Sequence, residues 1–305
     1  MDNYSRFAEL LSEKGIKTVE NEPLAPHSTF RIGGAARLAA MPDSTGKIVE
    51  AVNAAKSADI DFAVIGNGSN VLFSDKGFDG LVIFTRGADS VVINGNRVIA
   101  DAGAPFTKLA VIVKNAGLTG LEFAYGIPGS VGGAVYMNAG AYNGEASQVV
   151  ASSIAYDDIT GEVKTIGKDE HCFGYRTSVY SQNKERLTVL SAEFELRPGN
   201  SAEIWETMQD LMRRRREKQP LEYPNAGSVF KRPQGYFVGK LITDAGLKGY
   251  TIGGAQVSQK HAGFIINIGG ATAEDVLRLV EHIQKTVFAQ FGVSLECEIN
   301  FKGQR

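Results

Sequence analysis

The sequence is poor in cysteine and contains no metal-binding pattern. Only Cys172 and Cys297 occur, and they form neither a CxxC pair nor an even set of several. This argues against a disulfide framework and against a zinc site, and we interpret both residues as buried or incidental thiols. The four histidines are far apart and form neither HxxxH nor HExxH. The sequence therefore gives no support for metal catalysis.

Long hydrophobic runs and a charge imbalance are also missing. No apolar run approaches the roughly 20 residues that a membrane helix needs, and the first 16 residues, MDNYSRFAELLSEKGI, form an acidic amphipathic pattern rather than a signal peptide. We therefore expect a cytoplasmic protein with no membrane partner. Lysine and arginine number 32 against 34 aspartates and glutamates, a net charge of -2, so nucleic acid is not an expected partner. The run Arg213 to Arg216 is interpreted as the cationic last turn of a helix.

Local signals predict helices and strands that alternate without a regular βαβ rhythm. Ser44 is suited to cap a helix that precedes a buried strand. Asn94 and Gly95 lie between two β-rich runs, which predicts a hairpin. Thr272 and Asp275 form a capping box in front of a long helix. These patterns predict an α+β fold made of small units, with boundaries near residues 60 and 200.

Glycine is enriched, with 35 residues in 305, and two glycine loops resemble anion sites. GNGSN at 66–70 follows a predicted strand, but Val71 occupies the third glycine position of GxGxxG, so the dinucleotide fingerprint fails. GIPGSVGG at 126–133 lacks the Lys-Ser/Thr of a P-loop. Tight turns explain any one such loop, whereas backbone amides in two of them favour a large flat ligand with a phosphate group.

Seven short motifs occur in order from residue 28 to the C-terminus: STFRIGG, VIGNGSN, GIPGSVGGAVYMNAGAYNGE, YRTS, NAGSVFKRP, GGAQVSQKHAGFIIN and LECEINFKG. Together they resemble the MurB family of UDP-N-acetylenolpyruvoylglucosamine reductases. This resemblance implies an FAD-binding fold of the vanillyl-alcohol oxidase (PCMH) type in three small α+β domains. Residues 1–60 and 61–200 would form the two FAD-binding subdomains, and residues 201–305 the substrate-binding domain.

The resemblance also implies the cofactors. FAD would be bound non-covalently, with NADPH as the co-substrate. Backbone amides of the two glycine loops would hold the pyrophosphate, and the missing side chains would let the cofactor lie on the main chain. The residues implied in FAD binding are Gly66, Asn67, Gly68, Ser69, Asn70, Gly126, Ile127, Pro128, Gly129, Ser130, Gly132 and Gly133.

Three catalytic residues follow from the matching motifs. Arg176 would pair with the substrate carboxylate, for which an arginine fork is well suited. Ser228 would donate a proton to C2 of the enolpyruvyl group after hydride addition at C3. Glu298, protonated or sharing a proton, would stabilise the charge that develops on the carboxylate. Lys218 and Gln256 are implied in substrate binding, together with Arg176 and Ser228.

Local sequence makes a different use of Ser228 and Glu298 equally possible. Without the resemblance, Ser228 would be a turn serine. The segment VSLECEINF at 293–301 is predicted to be a strand, and a period of two places Glu296, Glu298 and Asn300 on one face. That face could be a site edge or a solvated surface.

The resemblance implies UDP-N-acetylmuramate as the product, in peptidoglycan precursor synthesis for the cell wall, with the UDP-sugar substrate as the partner. The oligomeric state does not follow from the sequence, and we expect a monomer. The chain departs from the family pattern at Asn300, where many relatives carry arginine, and at Arg232, where others carry asparagine. It also lacks the longer insert after YRTS, which places it in the shorter, type II branch. Two other functions stay open: another flavin oxidase or dehydrogenase of the superfamily, and a nucleotide-sugar binding protein without catalysis.

Overall fold

The structure is a computed structural model, and it describes residues 3–183 and 186–304. Its helices are α1 (Asn3–Glu13), α2 (Thr45–Ser57), α3 (Phe106–Asn115), α4 (Val131–Tyr136), α5 (Val179–Gln182), α6 (Ser201–Lys218), α7 (Val238–Asp244) and α8 (Ala273–Phe291). Its strands are β1 (Lys17–Pro23), β2 (Ala35–Met41), β3 (Phe62–Ile65), β4 (Val71–Phe73), β5 (Phe78–Phe84), β6 (Val91–Asn94), β7 (Arg97–Asp101), β8 (Leu118–Thr119), β9 (Gly140–Ala141), β10 (Gly144–Glu145), β11 (Val150–Asp157), β12 (Glu162–Gly167), β13 (Leu187–Glu195), β14 (Arg197–Pro198), β15 (Asn225–Ser228), β16 (Thr251–Ile252), β17 (Ala255–Val257), β18 (Phe264–Asn267) and β19 (Asn300–Lys302).

The described residues fall into two compact units that the chain enters more than once. The first unit contains the residues up to Glu20 together with 38–67 and 80–214, and the second contains 21–37, 68–79 and the residues from Arg215 onward. The α+β fold class predicted from the sequence is confirmed. The division into three domains at 1–60, 61–200 and 201–305 stays a prediction.

The first unit is built around a five-stranded antiparallel sheet in the order β12-β11-β13-β7-β6. The predicted hairpin joins β6 to β7, with Asn94 opposite Arg97 and Gly95 in the left-handed region at φ 61°. Phe106 at the start of α3 packs against Phe194 of β13, with ring centroids 6.3 Å apart. This apolar contact ties α3 to the middle of the sheet, and the loops described below lie next to α3.

A second core in the first unit forms where α2 packs with α1 and with strands β3 and β5. Ser44 caps α2 as predicted, and its hydroxyl accepts a hydrogen bond from the Lys47 amide at 3.4 Å. Strands β3 and β5 are parallel, with Ile65 opposite Phe84, in a sheet ordered β1-β2-β5-β3. Because β3 ends at Ile65, the first glycine loop leaves the sheet at this point.

The second unit contains an antiparallel sheet in the order β15-β18-β17-β16, covered by α7 and α8. The predicted capping box is present at α8, where Thr272 accepts from the Asp275 amide and Asp275 accepts from the Thr272 amide. Gly292 ends α8 with φ 67°. Strand β4 pairs in parallel with β19. Among the described residues, no helix has the length and apolar character needed to cross a bilayer.

One expectation from the sequence is wrong. Of the predicted terminal strand at 293–301, only Asn300 and Phe301 lie in a strand, and Cys297 makes a single isolated bridge to Phe230. The preceding residues have no partner strand along their length, so the β-rich composition does not produce a ladder there. Cys172 and Cys297 are free and exposed, so of the two interpretations, buried or incidental thiols, the incidental one remains.

Candidate active site

Gly66 and Asn67 of the first glycine loop lie beside the second glycine loop within the first unit. A Cβ built on Gly66 would overlap Ser130 Oγ and would come within 3.1 Å of Ser130 Cβ. Asn67 Nδ2 donates to the Pro128 carbonyl at 3.1 Å, across 61 residues of sequence. The fold therefore brings together two segments that the sequence predicted, separately, to contact FAD.

At several loop glycines, a side chain would meet other parts of the protein rather than open space. Gly68 has φ 63°, and a Cβ there would overlap the His27 carbonyl oxygen. A Cβ on Gly132 would lie 2.9 Å from Ala102 Cβ. From the sequence, we expected glycine at these positions to leave room for the cofactor, and this explanation is wrong at Gly66, Gly68 and Gly132. Glycine is needed there because neighbouring backbone and side chains pack against it.

Some amides of the second loop already donate within the protein. The Ile127 amide donates to the Ala124 carbonyl at 3.0 Å, and the Gly132 amide to the Ala102 carbonyl at 2.8 Å. Ser130 caps α4 and its Oγ accepts from the Gly133 amide at 3.3 Å. Gly126 ends a 3₁₀ turn, and the Gly129 carbonyl accepts a hydrogen bond from the Phe106 amide at 2.9 Å. An anion held by main-chain donors of this loop must therefore use amides other than these three.

Two residues that the sequence analysis missed lie beside the first loop. Arg86 Nη2 donates to the Asn67 carbonyl at 3.3 Å from an exposed side chain. Thr85 is buried, its Oγ1 has no hydrogen-bond partner within the described part of the chain, and it lies 3.9 Å from the place a Gly66 Cβ would take. A buried hydroxyl is costly to leave unsatisfied. The glycine loops, the arginine and this hydroxyl fit a group with a pyrophosphate.

Arg176 lies in a tight turn of the first unit. The Gly174 amide donates to the Thr177 carbonyl at 3.1 Å, and the Thr177 amide donates to the Gly174 carbonyl at 3.2 Å. Tyr175 and Arg176 are the two central residues of this turn. Arg176 has φ 54°, in the third position of a turn that normally takes glycine or asparagine there. Its Nη2 donates to the Gly140 carbonyl at 2.8 Å and its Nη1 to the Asn138 carbonyl at 3.4 Å.

Ser228 and Glu298 lie on neighbouring segments of the second unit. The Glu298 amide donates to the Val229 carbonyl at 2.7 Å, and Ser228 Oγ donates to the Phe230 carbonyl at 3.3 Å. Asn70, which follows Ser69 in the first glycine loop, donates from Nδ2 to the Glu298 carbonyl at 3.1 Å. The Asn300 amide donates to the Asn70 carbonyl at 3.0 Å. The structure therefore joins a predicted FAD residue to the predicted acid residue.

The other predicted substrate residues are more dispersed. Lys218 is the last residue of α6 and is exposed. Gln256 on β17 donates from Nε2 to Thr251 Oγ1 at 3.0 Å, within its own hairpin. Arg232 donates from Nε to the Tyr236 carbonyl at 3.2 Å, and its guanidinium lies 3.9 Å from the centre of the Phe237 ring. None of these contacts joins Lys218 or Gln256 to Ser228.

His261 is a third residue that the sequence analysis missed. Its Nδ1 accepts from the Gly263 amide at 3.1 Å, and burial lowers the pKa of the imidazole. A Cβ on Gly263 would lie 3.0 Å from the His261 ring and 3.7 Å from Ser228 Oγ. Glycine at 263 thus lets a neutral imidazole and the Ser228 hydroxyl approach one stretch of backbone. The motif QKHAGF contained this residue, but gave no reason to single it out.

Acidic clusters do not point to a metal. Within residues 3–183 and 186–304, no group of three His, Cys, Asp or Glu side chains could hold a metal ion. Two arginines of the basic run are accounted for by Asp210, which pairs with Arg213 and, at 2.6 Å, with Arg214.

Two family models and several relatives match the chain. Residues 36–167 match the family model of the FAD binding domain, and residues 219–302 match that of the UDP-N-acetylenolpyruvoylglucosamine reductase C-terminal domain. The chain is 50% identical over 290 residues to the reductase of that name from Pediococcus pentosaceus, covering 95% of each chain. It is 48% identical over 300 residues to the one from Caldicellulosiruptor bescii, covering 98% of this chain and 95% of the relative.

A solved structure is similar over almost the whole chain. The crystal structure of UDP-N-acetylenolpyruvylglucosamine reductase (MurB) from Thermus caldophilus matches with a TM-score of 0.78 at 31% identity. The match covers 94% of this chain and 98% of that one. The chain belongs to the UDP-N-acetylenolpyruvoylglucosamine reductase family.

Proposed function

We propose that the protein reduces the enolpyruvyl ether of UDP-GlcNAc-enolpyruvate to UDP-N-acetylmuramate, with FAD as cofactor and NADPH as reductant. Family membership over nearly the whole chain supports the reaction, and the match to the FAD binding domain supports the cofactor. The observation in the structure that carries the proposal is the 2.7 Å hydrogen bond from the Glu298 amide to the Val229 carbonyl, which joins the segment of Glu298 to the segment of Ser228. Addition of a hydride and a proton across a vinyl ether requires a proton donor, and a carboxylic acid on the adjoining segment could stabilise the charge that develops.

The cofactor proposal uses both glycine loops. When bound, FAD would carry the hydride from NADPH to the substrate. Asn67 fixes the two loops against each other, and Arg86 would supply a cation beside the pyrophosphate. Main-chain donors would come from Gly66 to Asn70 and from Gly129 and Ser130, because the amides of Ile127, Gly132 and Gly133 donate elsewhere. We infer non-covalent binding, since no histidine or cysteine attachment motif was found.

Arg176 would bind the substrate carboxylate. Its Nη1 and Nη2 groups donate hydrogen bonds to the carbonyls of Asn138 and Gly140, and these bonds orient the planar guanidinium. A non-glycine residue in the left-handed region costs about 1 kcal/mol or more, so an arginine there supports a role for its side chain. During the reaction, negative charge develops on the substrate carboxylate, and a pre-oriented arginine stabilises it without reorganisation.

Ser228 would deliver the proton to C2 of the substrate. Its hydroxyl donates to the Phe230 carbonyl at 3.3 Å. For proton transfer, this O–H group would leave the carbonyl and rotate toward the substrate. Glu298 on the neighbouring segment would hold a proton or a hydrogen bond at the substrate carboxylate. Lys218 and Gln256 are proposed to contact the UDP-sugar, which is the only partner we propose.

The cellular setting follows from the chemistry of the substrates. NADPH and UDP-sugars are cytoplasmic metabolites, so we place the reaction in the cytoplasm, in the supply of peptidoglycan precursors for cell wall growth, cell shape and division. We propose a monomer, which light scattering of the purified protein tests.

Substrate-dependent NADPH oxidation tests the proposed function. The purified, flavin-loaded protein should consume NADPH when UDP-GlcNAc-enolpyruvate is present and not when UDP-GlcNAc replaces it. A colourless protein would contradict the cofactor. Equal NADPH oxidation with both sugars would indicate another flavin oxidase or dehydrogenase instead.

A further inference from the structure

We propose that Asn138 is a positioning residue that holds Arg176 in the orientation needed to bind the substrate carboxylate. The inference rests on the proposed function of Arg176. It concerns a side chain that lies in the motif GIPGSVGGAVYMNAGAYNGE but was given no role, and that belongs to the first unit.

The Arg176 turn needs support from outside the turn. Its backbone is closed by two hydrogen bonds between Gly174 and Thr177, yet Arg176 has φ 54°, a conformation that persists only where surrounding structure enforces it. On the far side of the turn, Ser178 is buried, and its Oγ donates to the Tyr136 carbonyl at 2.6 Å. The turn is therefore fastened to the segment that contains Asn138.

The Asn138 side chain bonds on both of its ends. Its Nδ2 donates to the Gly174 carbonyl at 3.0 Å, and its Oδ1 accepts from the Ser147 amide at 2.9 Å. Asn138 is 1% exposed, so neither bond competes with bulk water. The Asn138 side-chain amide thus joins the Arg176 turn to the 3₁₀ turn Ala146–Gln148, which follows β10 and contains Ser147.

The bonds between Asn138 and the turn are reciprocal. Asn138 holds Gly174 through its side chain, and Arg176 donates from Nη1 to the Asn138 carbonyl at 3.4 Å. The second arm of the fork, Nη2, donates to the Gly140 carbonyl at 2.8 Å, two residues further along. Asn138 also has a left-handed backbone, at φ 46°, which places its carbonyl and side chain toward the turn. Loss of the amide donor would release one side of this clamp.

Asparagine is required because both a donor and an acceptor are used. Aspartate has nearly the same shape and keeps an acceptor for the Ser147 amide. Its carboxylate cannot donate to the Gly174 carbonyl, so a carboxylate oxygen would face the carbonyl oxygen without a hydrogen bond. Glycine accepts the left-handed backbone and lacks the amide. Asn138→Asp and Asn138→Gly therefore remove the clamp by two independent routes.

Binding of two nucleotide sugars to the flavin-loaded protein tests the inference. UDP-N-acetylmuramate has the carboxylate that Arg176 would hold, and UDP-GlcNAc lacks it. We expect Asn138→Asp and Asn138→Gly to weaken UDP-N-acetylmuramate binding roughly tenfold, on the scale of a lost charge-assisted hydrogen bond. Binding of UDP-GlcNAc, measured by calorimetry, should change less than about twofold. A purely structural loss would weaken both ligands together.

Asn143→Asp is the matched control. Asn143 is an exposed asparagine of the same stretch with φ 67°, so the same chemical change there should leave both affinities unaltered. Arg176→Ala separates the inference from the proposed function. If Arg176→Ala weakens only UDP-N-acetylmuramate and both Asn138 variants bind like wild type, the positioning role is wrong. If Arg176→Ala leaves the discrimination intact, the proposed role of Arg176 fails first.

Discussion

Gly66 and Ser130 lie so close that a Cβ on Gly66 would overlap the Ser130 hydroxyl. The same hydroxyl caps α4 by accepting from the Gly133 amide at 3.3 Å. The two glycine loops are therefore fitted to each other before any ligand is bound. Any side chain at 66 must displace Ser130 from its capping position.

Gly66→Ala should lower the FAD content of the purified protein severalfold without unfolding it. The added methyl group pushes Ser130 aside, and loss of an N-terminal cap costs about 1 kcal/mol, which disturbs the loop pair rather than the fold. The measurement is flavin absorbance per protein after gel filtration. Gly46→Ala is the control, because a Cβ at Gly46 would meet no described atom within 4 Å apart from its chain neighbours and the backbone of its own helix. Full flavin content in Gly66→Ala would show that the loops do not hold the cofactor.

Ser228→Ala should separate the two half reactions. If Ser228 gives its proton to C2, bleaching of the flavin by NADPH should be nearly unchanged. Reoxidation by the enolpyruvyl substrate should slow by about 10²- to 10⁴-fold, the usual effect of removing a general acid. Stopped-flow absorbance follows both steps. Reoxidation at the wild-type rate would remove Ser228 from the mechanism and leave a water molecule as the donor.

Glu298→Gln should also impair only the second half reaction. Glutamine keeps the size of the side chain and some hydrogen bonding but cannot share a proton. We expect reoxidation to slow by about 10²-fold, as for removal of one electrostatic stabiliser of the transition state. Glu296→Gln, two residues away on an exposed side chain that pairs with Lys231, serves as the control. Equal losses in both half reactions would indicate a general disturbance of the site instead.

Asp158→Asn should stabilise the protein at neutral pH. Asp158 is 9% exposed, its Oδ1 has no hydrogen-bond partner among the residues described, and burial raises its pKa to about 6, with Lys56 opposing and Asp157 adding to the shift. An unfolded aspartate has a pKa of about 3.9. Between these values the folded state binds more protons, so the free energy of unfolding falls as the pH rises from about 4 to about 6.

Urea unfolding at two pH values measures this effect. At pH 7.5, Asp158→Asn should raise the free energy of unfolding by about 1 to 2 kcal/mol. At pH 4, where Asp158 is protonated, the two proteins should be nearly equal. A stability gain of the same size at both pH values would show that the titration of Asp158 is not the cause.

Elements with strong local signals could be predicted from the sequence. The Ser44 cap, the turn at Gly95 and the capping box at Thr272 each depend on residues within a few positions of one another, and all three are present. The terminal strand was wrong because a strand also needs a partner, and residues 293–298 have only one bridge, between Cys297 and Phe230.

The arrangement of the site depends on contacts that are distant in sequence. Asn67 reaches Pro128 across 61 residues, and Asn138 reaches Gly174 across 36. Motif resemblance named Arg176, but the left-handed turn that presents it could not be inferred, since arginine rarely adopts that backbone. Asn138 lies in one of the motifs, but its role could not be inferred, because it exists only once the two segments meet.

Single-turnover reduction of the substrate tests the central claim most directly. The flavin-loaded protein is reduced anaerobically with stoichiometric NADPH and mixed with UDP-GlcNAc-enolpyruvate or, in parallel, with UDP-GlcNAc. We expect the flavin to reoxidise only with the enolpyruvyl substrate and UDP-N-acetylmuramate to appear in equal amount by mass spectrometry. Flavin that stays reduced with the enolpyruvyl substrate, or that reoxidises without forming UDP-N-acetylmuramate, would contradict the account.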